Sequence, residues 1–363
     1  MRKGILAAAA LMLGLLCCVL LYRTATFPAP TQVQADPTQA TGQTVLNTHP
    51  ETKPTAVPET VPAISPETVP ATVPETTPET VPEATSETEP ATRPHPQPDP
   101  NYRLTARNAF VYSCTGDVLR YSKGDMDAQI APASITKLLT AYVALQYLEP
   151  ETVVTCGTEV TWTVPAASVA WLQPGDRVTV EVLIQGMMLQ SGNDAAQALA
   201  VAAGRVIRPG CGPKEALSVF LDTLNSTAPE LGLTGTHFES VDGMDSWKHY
   251  TTPSDMVTIG LLVMEQPLLR HYTGVAQSTV TFEDGTVHEY QNSNLLLQTD
   301  SQFYSPDACG MKTGTTIKAG SCLMALFHNG QEYILVGVFG CPEKDDRYRD
   351  ALQLYALYGA PEE

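Results

Sequence analysis

The chain has 363 residues, enough for one large domain or two small ones, and a formal net charge of −18. No basic patch interrupts that acidity, which argues against nucleic acid as a partner. The seven histidines contain no H-E-x-x-H pair and the eight cysteines no metal-ligand spacing, so neither a metal nor a cofactor is expected.

Residues 1–27 carry three basic and no acidic groups. Arg2 and Lys3 precede an uncharged run of 19 residues, Gly4 to Tyr22, closed by Arg23. Such a run just spans a bilayer, and its basic start keeps the N-terminus in the cytoplasm. An uncleaved signal-anchor is expected, a membrane helix with the rest of the chain outside the cytoplasm. A cleaved signal, giving a secreted protein, is the alternative.

Residues 28–100 form a Pro/Thr/Glu-rich segment with ten acidic and two basic groups. From Pro54 to Pro82 a proline recurs at every fourth position, in units close to P-E-T-V. Proline fixes φ and removes donors, and too little here is apolar to build a core. A disordered, extended linker is expected, with a contour of about 200 Å.

Globular composition runs from Asn101 to Glu363. A hairpin is predicted with strands near Phe110–Ser113 and Val118–Tyr121, turning at Thr115–Gly116. Ser134 opens a helix bearing Leu138, Leu139, Tyr142, Val143 and Leu145 on its apolar positions. Helices are predicted over Val180–Leu189, Asp194–Ala203 and Pro213–Leu224. Thr252 followed by Pro253 and Asp255 marks a capped helix over Pro253–Glu265. "CGMKTGTT" and "SCLMALF" read as strands, and Asn329-Gly330 before "EYILVGVF" is a hairpin turn. A last amphipathic helix spans about Asp346–Tyr358. Strands, then helices, then strands and a helix imply an antiparallel sheet with helices packed on its faces. Six cysteines lie in this region, Cys114, Cys156, Cys211, Cys309, Cys322 and Cys341, and no pairing is assigned.

Three short motifs each occur once: Ser134-Ile-Thr-Lys137, Ser191-Gly192-Asn193 and Lys312-Thr313-Gly314. A lone S-x-x-K is most simply a helix start with a capping serine and a solvated lysine. The other two motifs, in this order and context, argue otherwise. The first opens a helix, the second joins two helices, and the third lies on a strand beside a hairpin. With "MMLQSGNDAAQALA", "LGLTGTHF", "NSNLLL" and "GMKTGTT", the region 102–358 resembles the low-molecular-mass penicillin-binding proteins that are serine-type D-alanyl-D-alanine carboxypeptidases, the peptidase S11 family.

That resemblance implies a mixed α/β (α+β) fold of the β-lactamase/transpeptidase type, with an antiparallel sheet flanked by helices and an all-helical subdomain. It implies Ser134 as nucleophile, Lys137 as its base and Ser191 as a proton relay to the leaving amine. It places Asn193, Lys312, Thr313, Gly314 and Thr315 against the substrate, and the backbone N–H groups of Ser134 and Thr315 in an oxyanion hole. The implied partners are peptidoglycan pentapeptides ending in D-Ala-D-Ala, β-lactam antibiotics as inhibitors, and a membrane through the N-terminal helix. Thr313 and Thr315 share one face of a regular strand, so Lys312 is expected on the other.

His249, just before the Thr252-capped helix, reads as structural. Trp162 and Trp171 read as packing residues rather than a sugar platform, and Asn292 and Asn294 as partners for backbone groups. Family members often have a further all-β domain and a C-terminal amphipathic anchor. Here the chain ends at Glu363 soon after its last helix, and anchoring is expected at the N-terminus instead. The competing readings are a serine β-lactamase, a D,D-endopeptidase on the same fold, and a penicillin-binding sensor that acylates without turnover. No convincing E-x-x-x-N follows the second motif, and the middle residue of that motif is Gly192 rather than an aspartate, which weighs against a β-lactamase.

Overall fold

The computed structural model describes residues 97–359. The expected signal-anchor lies outside the described residues, as does the linker up to residue 96. Among the described residues no helix is long and apolar enough to cross a membrane.

Nine strands and seven α-helices are present among the described residues. Strands β1 (Asn108–Ser113), β2 (Val118–Lys123), β7 (Ala308–Thr316), β8 (Gly320–His328) and β9 (Tyr333–Cys341) form one sheet in the order β2-β1-β9-β8-β7. Every neighbouring pair in it is antiparallel. Two small ladders stand apart, β3 (Val153–Thr155) with β4 (Arg177–Thr179) and β5 (Gln277–Thr281) with β6 (Val287–Gln291). The helices are α1 (Lys137–Ala144), α2 (Val180–Met188), α3 (Asn193–Ile207), α4 (Pro213–Glu230), α5 (Pro253–Glu265), α6 (Pro267–Gly274) and α7 (Asp346–Tyr358).

The long apolar runs of β8 and β9 follow from burial on both faces. On β8, Leu323, Ala325 and Phe327 join the core under α7, whereas Met324 and Leu326 join the core shared with the other helices. On β9, Ile334, Val336 and Val338 take the α7 side and Leu335 and Phe339 the other. This is the two-residue alternation of a strand, made apolar on both sides. Helix α7 answers with Tyr348, Ala351, Leu354 and Tyr355, spaced to share one helical face. The fully buried Asp350 of α7 accepts hydrogen bonds from Ala106 N (2.6 Å), Thr105 N (3.0 Å) and Tyr102 OH (2.6 Å), which ties that helix to the chain entering β1.

Several expectations need correction. Ser134 does not open an α-helix: Ala133–Thr136 form a 3₁₀ turn that runs into α1 at Lys137. Helix α3 begins at Asn193 rather than Asp194 and continues to Ile207. Helix α4 continues through Pro229 to Glu230, past the expected end at Leu224. It does so because Asn225 has a tertiary partner, exchanging hydrogen bonds with Phe238 O (2.7 Å) and Phe238 N (2.8 Å) instead of breaking the helix. The ladders β3–β4 and β5–β6 and the helix α6 were not anticipated. The six cysteines are free thiols.

Candidate active site

The three motifs converge where the helical layer meets the edge strand β7. Ser134 sits in the 3₁₀ turn, preceded by Ala133 with φ of +50°. Left-handed backbone at a non-glycine residue is costly and persists only where its surroundings impose it. Three structures impose it here. Thr136 Oγ1 donates to Ala133 O at 2.8 Å. Thr136 Oγ1 also meets His249 Nε2 at 2.9 Å. On the other side, strand β7 presses on the turn at Gly314. A Cβ on Gly314 would lie 2.9 Å from both Ser134 N and Ala133 Cβ, so only glycine permits this approach.

His249 is structural, as its sequence position suggested. Its Nδ1 accepts from the N–H groups of Glu239 (3.1 Å) and Ser240 (3.3 Å). Nε2 therefore carries the proton and donates to Thr136. The ring stacks on Phe238, and burial lowers its pKa to about 4, so it stays neutral.

Lys137 is fully buried. Its Nζ donates to Ser134 Oγ (2.9 Å), Asn193 Oδ1 (2.8 Å) and Asp242 O (2.8 Å). Three acceptors satisfy an ammonium completely. Burial nonetheless lowers its pKa to about 8, against the opposing pull of the Asp242 and Asp194 carboxylates. Deprotonated, the same nitrogen lies within reach of the Ser134 hydroxyl proton.

Ser191, with φ of +59°, and Asn193 are both buried at the turn from α2 into α3. That turn is fastened to the preceding loop. Asn193 N donates to Ser168 O at 2.8 Å, and the Asp194 carboxylate accepts from Ala170 N (2.7 Å), Leu172 N (3.0 Å) and Ala195 N (2.8 Å). A Cβ on Gly192 would lie 2.9 Å from Ala170 Cβ and 3.0 Å from its nitrogen, so an aspartate has no room at this position.

Lys312 is fully buried as well, with Nζ donating to Thr313 O at 3.1 Å. Burial lowers its pKa well below the usual lysine value, and the neighbouring cations Lys137 and Arg347 push it further down. Its direction resolves a tension in the sequence. The face of β7 opposite Thr313 and Thr315 is the face that meets the Ser134 turn, as Gly314 shows, and Lys312 shares it. The threonines look the other way. Thr313 Oγ1 pairs with Ser293 Oγ at 2.7 Å, and Thr315 Oγ1 accepts from Arg347 Nη1 at 3.0 Å.

Arg347 escaped the sequence reading because no motif surrounds it; only the packing of α7 brings it to β7. It is 8% exposed and also donates to Tyr348 OH (3.2 Å). Its buried Nε has no partner, and no carboxylate among the described residues pairs with it. Asn294, read as a partner for backbone groups, bonds Gly310 O and Leu296 N, and Asn292 bonds Val275 O. Trp171 stacks beside His288 on the β5–β6 hairpin.

A serine held by the ammonium of a buried lysine, between an S-x-N turn and a K-T-G edge strand, defines the active-site-serine proteins in which lysine stands where others use histidine. Within that class the chain belongs to the D-alanyl-D-alanine carboxypeptidase family, peptidase S11, which it matches over residues 95–342. It is 35% identical over 246 residues to the D-alanyl-D-alanine carboxypeptidase DacC of Escherichia coli K12, covering 65% of this chain and 56% of that one. It is 33% identical over 251 residues to the D-alanyl-D-alanine carboxypeptidase of Streptomyces sp. K15, covering 66% and 82%. The crystal structure of the Streptomyces K15 DD-transpeptidase superposes with a TM-score of 0.64 at 30% identity, over 71% of this chain and 98% of that one. Penicillin-binding protein D2 of Listeria monocytogenes, in its ampicillin-bound form, shares the fold at a TM-score of 0.58 and 24% identity, over 72% and 100%. The chain spans 53–59% of the length of the Escherichia coli relatives DacA, DacC and DacD.

Proposed function

We propose that the protein is a serine-type D-Ala-D-Ala carboxypeptidase, acting on peptidoglycan stem peptides through an acyl-enzyme on Ser134 and acylated there by β-lactams. The observation that carries this reading is the buried ammonium of Lys137 bridging Ser134 Oγ and Asn193 Oδ1. Neutral Lys137 takes the serine proton as Oγ attacks the carbonyl between the two D-alanines. The N–H groups of Ser134 and Thr315 receive the developing oxyanion. Ser191 relays a proton to the departing amine, and water then releases the acyl group from Ser134. Asn193 holds the substrate amide, and burial keeps Lys137 acidic.

A carboxypeptidase must read a free chain end. The K-T-G strand supplies the hydroxyls of Thr313 and Thr315 for this. Arg347 supplies the charge, since its guanidinium lies on the threonine side of the strand and has no anionic partner among the described residues. The crowding at Gly192 supports the carboxypeptidase over a β-lactamase bearing an aspartate there. We further propose that residues 1–27 anchor the protein in the cell membrane as a single-pass helix, with residues 28–100 as a spacer and the catalytic domain outside the cytoplasm. The basic-apolar-basic pattern of the first 23 residues supports this.

The test incubates the purified protein with a peptide ending in D-Ala-D-Ala and, separately, with penicillin. A carboxypeptidase releases D-alanine and retains penicillin covalently. Rapid destruction of penicillin would favour the β-lactamase, and retention without D-alanine release the sensor.

A further inference from the structure

Lys137 has a buried acidic neighbour whose side chain the chemistry above leaves unused. Asp242 gives its main-chain oxygen to Lys137 Nζ, while its own carboxylate is buried and turned aside. Oδ1 accepts a long hydrogen bond from Met244 N (3.3 Å), and Oδ2 lies 3.5 Å from Gln197 Nε2. Gln197 follows Asn193 by four residues on α3, so the two side chains project from one helical face. Asn193 holds the lysine and Gln197 meets the aspartate. The ammonium and the carboxylate are therefore both held against α3, out of water.

The other charges around Lys137 are differently placed. Asp194, from α3, is occupied by three backbone N–H groups. Lys312, from β7, is a buried amine whose own pKa is driven down by burial and by its neighbours Lys137 and Arg347 of α7. His249, beneath the 3₁₀ turn, is neutral. Asp242 is thus the least compensated carboxylate facing the lysine. In addition, Gln197 Oε1 is buried without a partner.

We propose that Asp242 is a positioning residue that holds the proton on Lys137, so that its carboxylate sets the pH above which Ser134 is acylated. The base must be neutral to accept the serine proton, and a buried anion beside it favours the charged form. Removing that anion lowers the pH at which Lys137 gives up its proton. Acylation should then extend to lower pH, a gain at acid pH rather than a loss. Asp242→Asn is suited to the test: the amide oxygen still accepts from Met244 N, and its NH₂ can donate to the vacant Gln197 Oε1.

The inference rests on the carboxypeptidase reading only in needing Lys137 as the base for acylation of Ser134. The experiment measures the second-order rate of acylation by a fluorescent penicillin from about pH 5 to about pH 9, for the wild type, Asp242→Asn and Asp242→Ser. Folding is checked by circular dichroism, and the serine variant is read if the asparagine variant does not fold. The midpoint of the rising limb, expected near 8 in the wild type, should fall by about one unit or more in the variants. On the limb that is roughly a tenfold faster acylation at a given pH. A rate that drops equally at every pH with an unmoved midpoint would overturn the proposal and leave Asp242 merely structural. A midpoint that rises would overturn it too. A wild type that never acylates would instead overturn the functional reading itself, so the two failures are distinguishable.

Discussion

Arg347→Met isolates how the site reads a chain end. Arg347 is buried against β7, donates to Thr315 Oγ1 at 3.0 Å, and has an Nε without a partner. A substrate carboxylate on the threonine side of the strand would complete it. A charge-assisted contact of this kind contributes about 1.5–3 kcal/mol. Its loss should cost roughly 10- to 150-fold in kcat/KM on a peptide with a free terminal carboxylate. Arg347 also supports the strand directly, so a fall in activity alone proves little. The assay is therefore a cycle of two enzymes and two substrates, the free acid and the same peptide ending in a carboxamide. The wild type should prefer the acid by that factor, and Arg347→Met should lose most of the preference while keeping similar activity on the amide. Equal losses on both substrates would rule out a carboxylate contact and make Arg347 a support of β7. A wild type that cleaves the amide as well as the acid would favour an endopeptidase.

Lys137→Ala should fold but acylate about 10²- to 10⁴-fold more slowly, as measured by stopped-flow with a fluorescent penicillin, and a near-normal rate would assign the base elsewhere. Gly314→Ala drives a methyl into Ser134 N and Ala133 Cβ at 2.9 Å. It should cost about 1–3 kcal/mol of stability in urea unfolding and slow acylation, and a variant unchanged in both would show that β7 can yield. His249 has its folded pKa lowered to about 4, below its unfolded value near 6.5. The unfolded state therefore takes up the proton first as pH falls. The stability due to the neutral ring is fully present above about pH 6.5, is lost on the way down to about pH 4, and amounts to about 3 kcal/mol. Urea unfolding across that window should show the decline, and His249→Gln should show a flatter slope from a lower starting stability.

What was legible in the sequence was local. The β8–β9 hairpin was announced by two apolar runs about Asn329-Gly330. The start of α5 was announced by Thr252, whose side chain accepts from Asp255 N at 3.0 Å, with Pro253 in the first turn. The three motifs that meet at the candidate site were legible because each carries its own turn and spacing. The β5–β6 hairpin was missed although Asp284-Gly285 marks its turn, with Asp284 Oδ1 accepting from Thr286 N at 2.8 Å. Its strands expose polar residues on one face and bury little, so their apolar period is weak. Ladder β3–β4 is three residues per strand, too short for any period to show. Helix α6 starts at Pro267 behind Gln266, whose side chain caps it from a residue type seldom found in that place. Arg347 and Asp242 could not be read from the chain at all. One lies 35 residues beyond Lys312 and the other 105 beyond Lys137, and only tertiary packing joins them to the site.

The proposed assignment of Ser134 as the site of the covalent intermediate is open to direct test. Incubating the purified protein with penicillin, digesting it and weighing its peptides by mass spectrometry tests this directly. One added penicilloyl group is expected on the peptide containing Ser134, and none in a folded Ser134→Ala variant. An adduct that persists in that variant, or that maps to another serine, would contradict it.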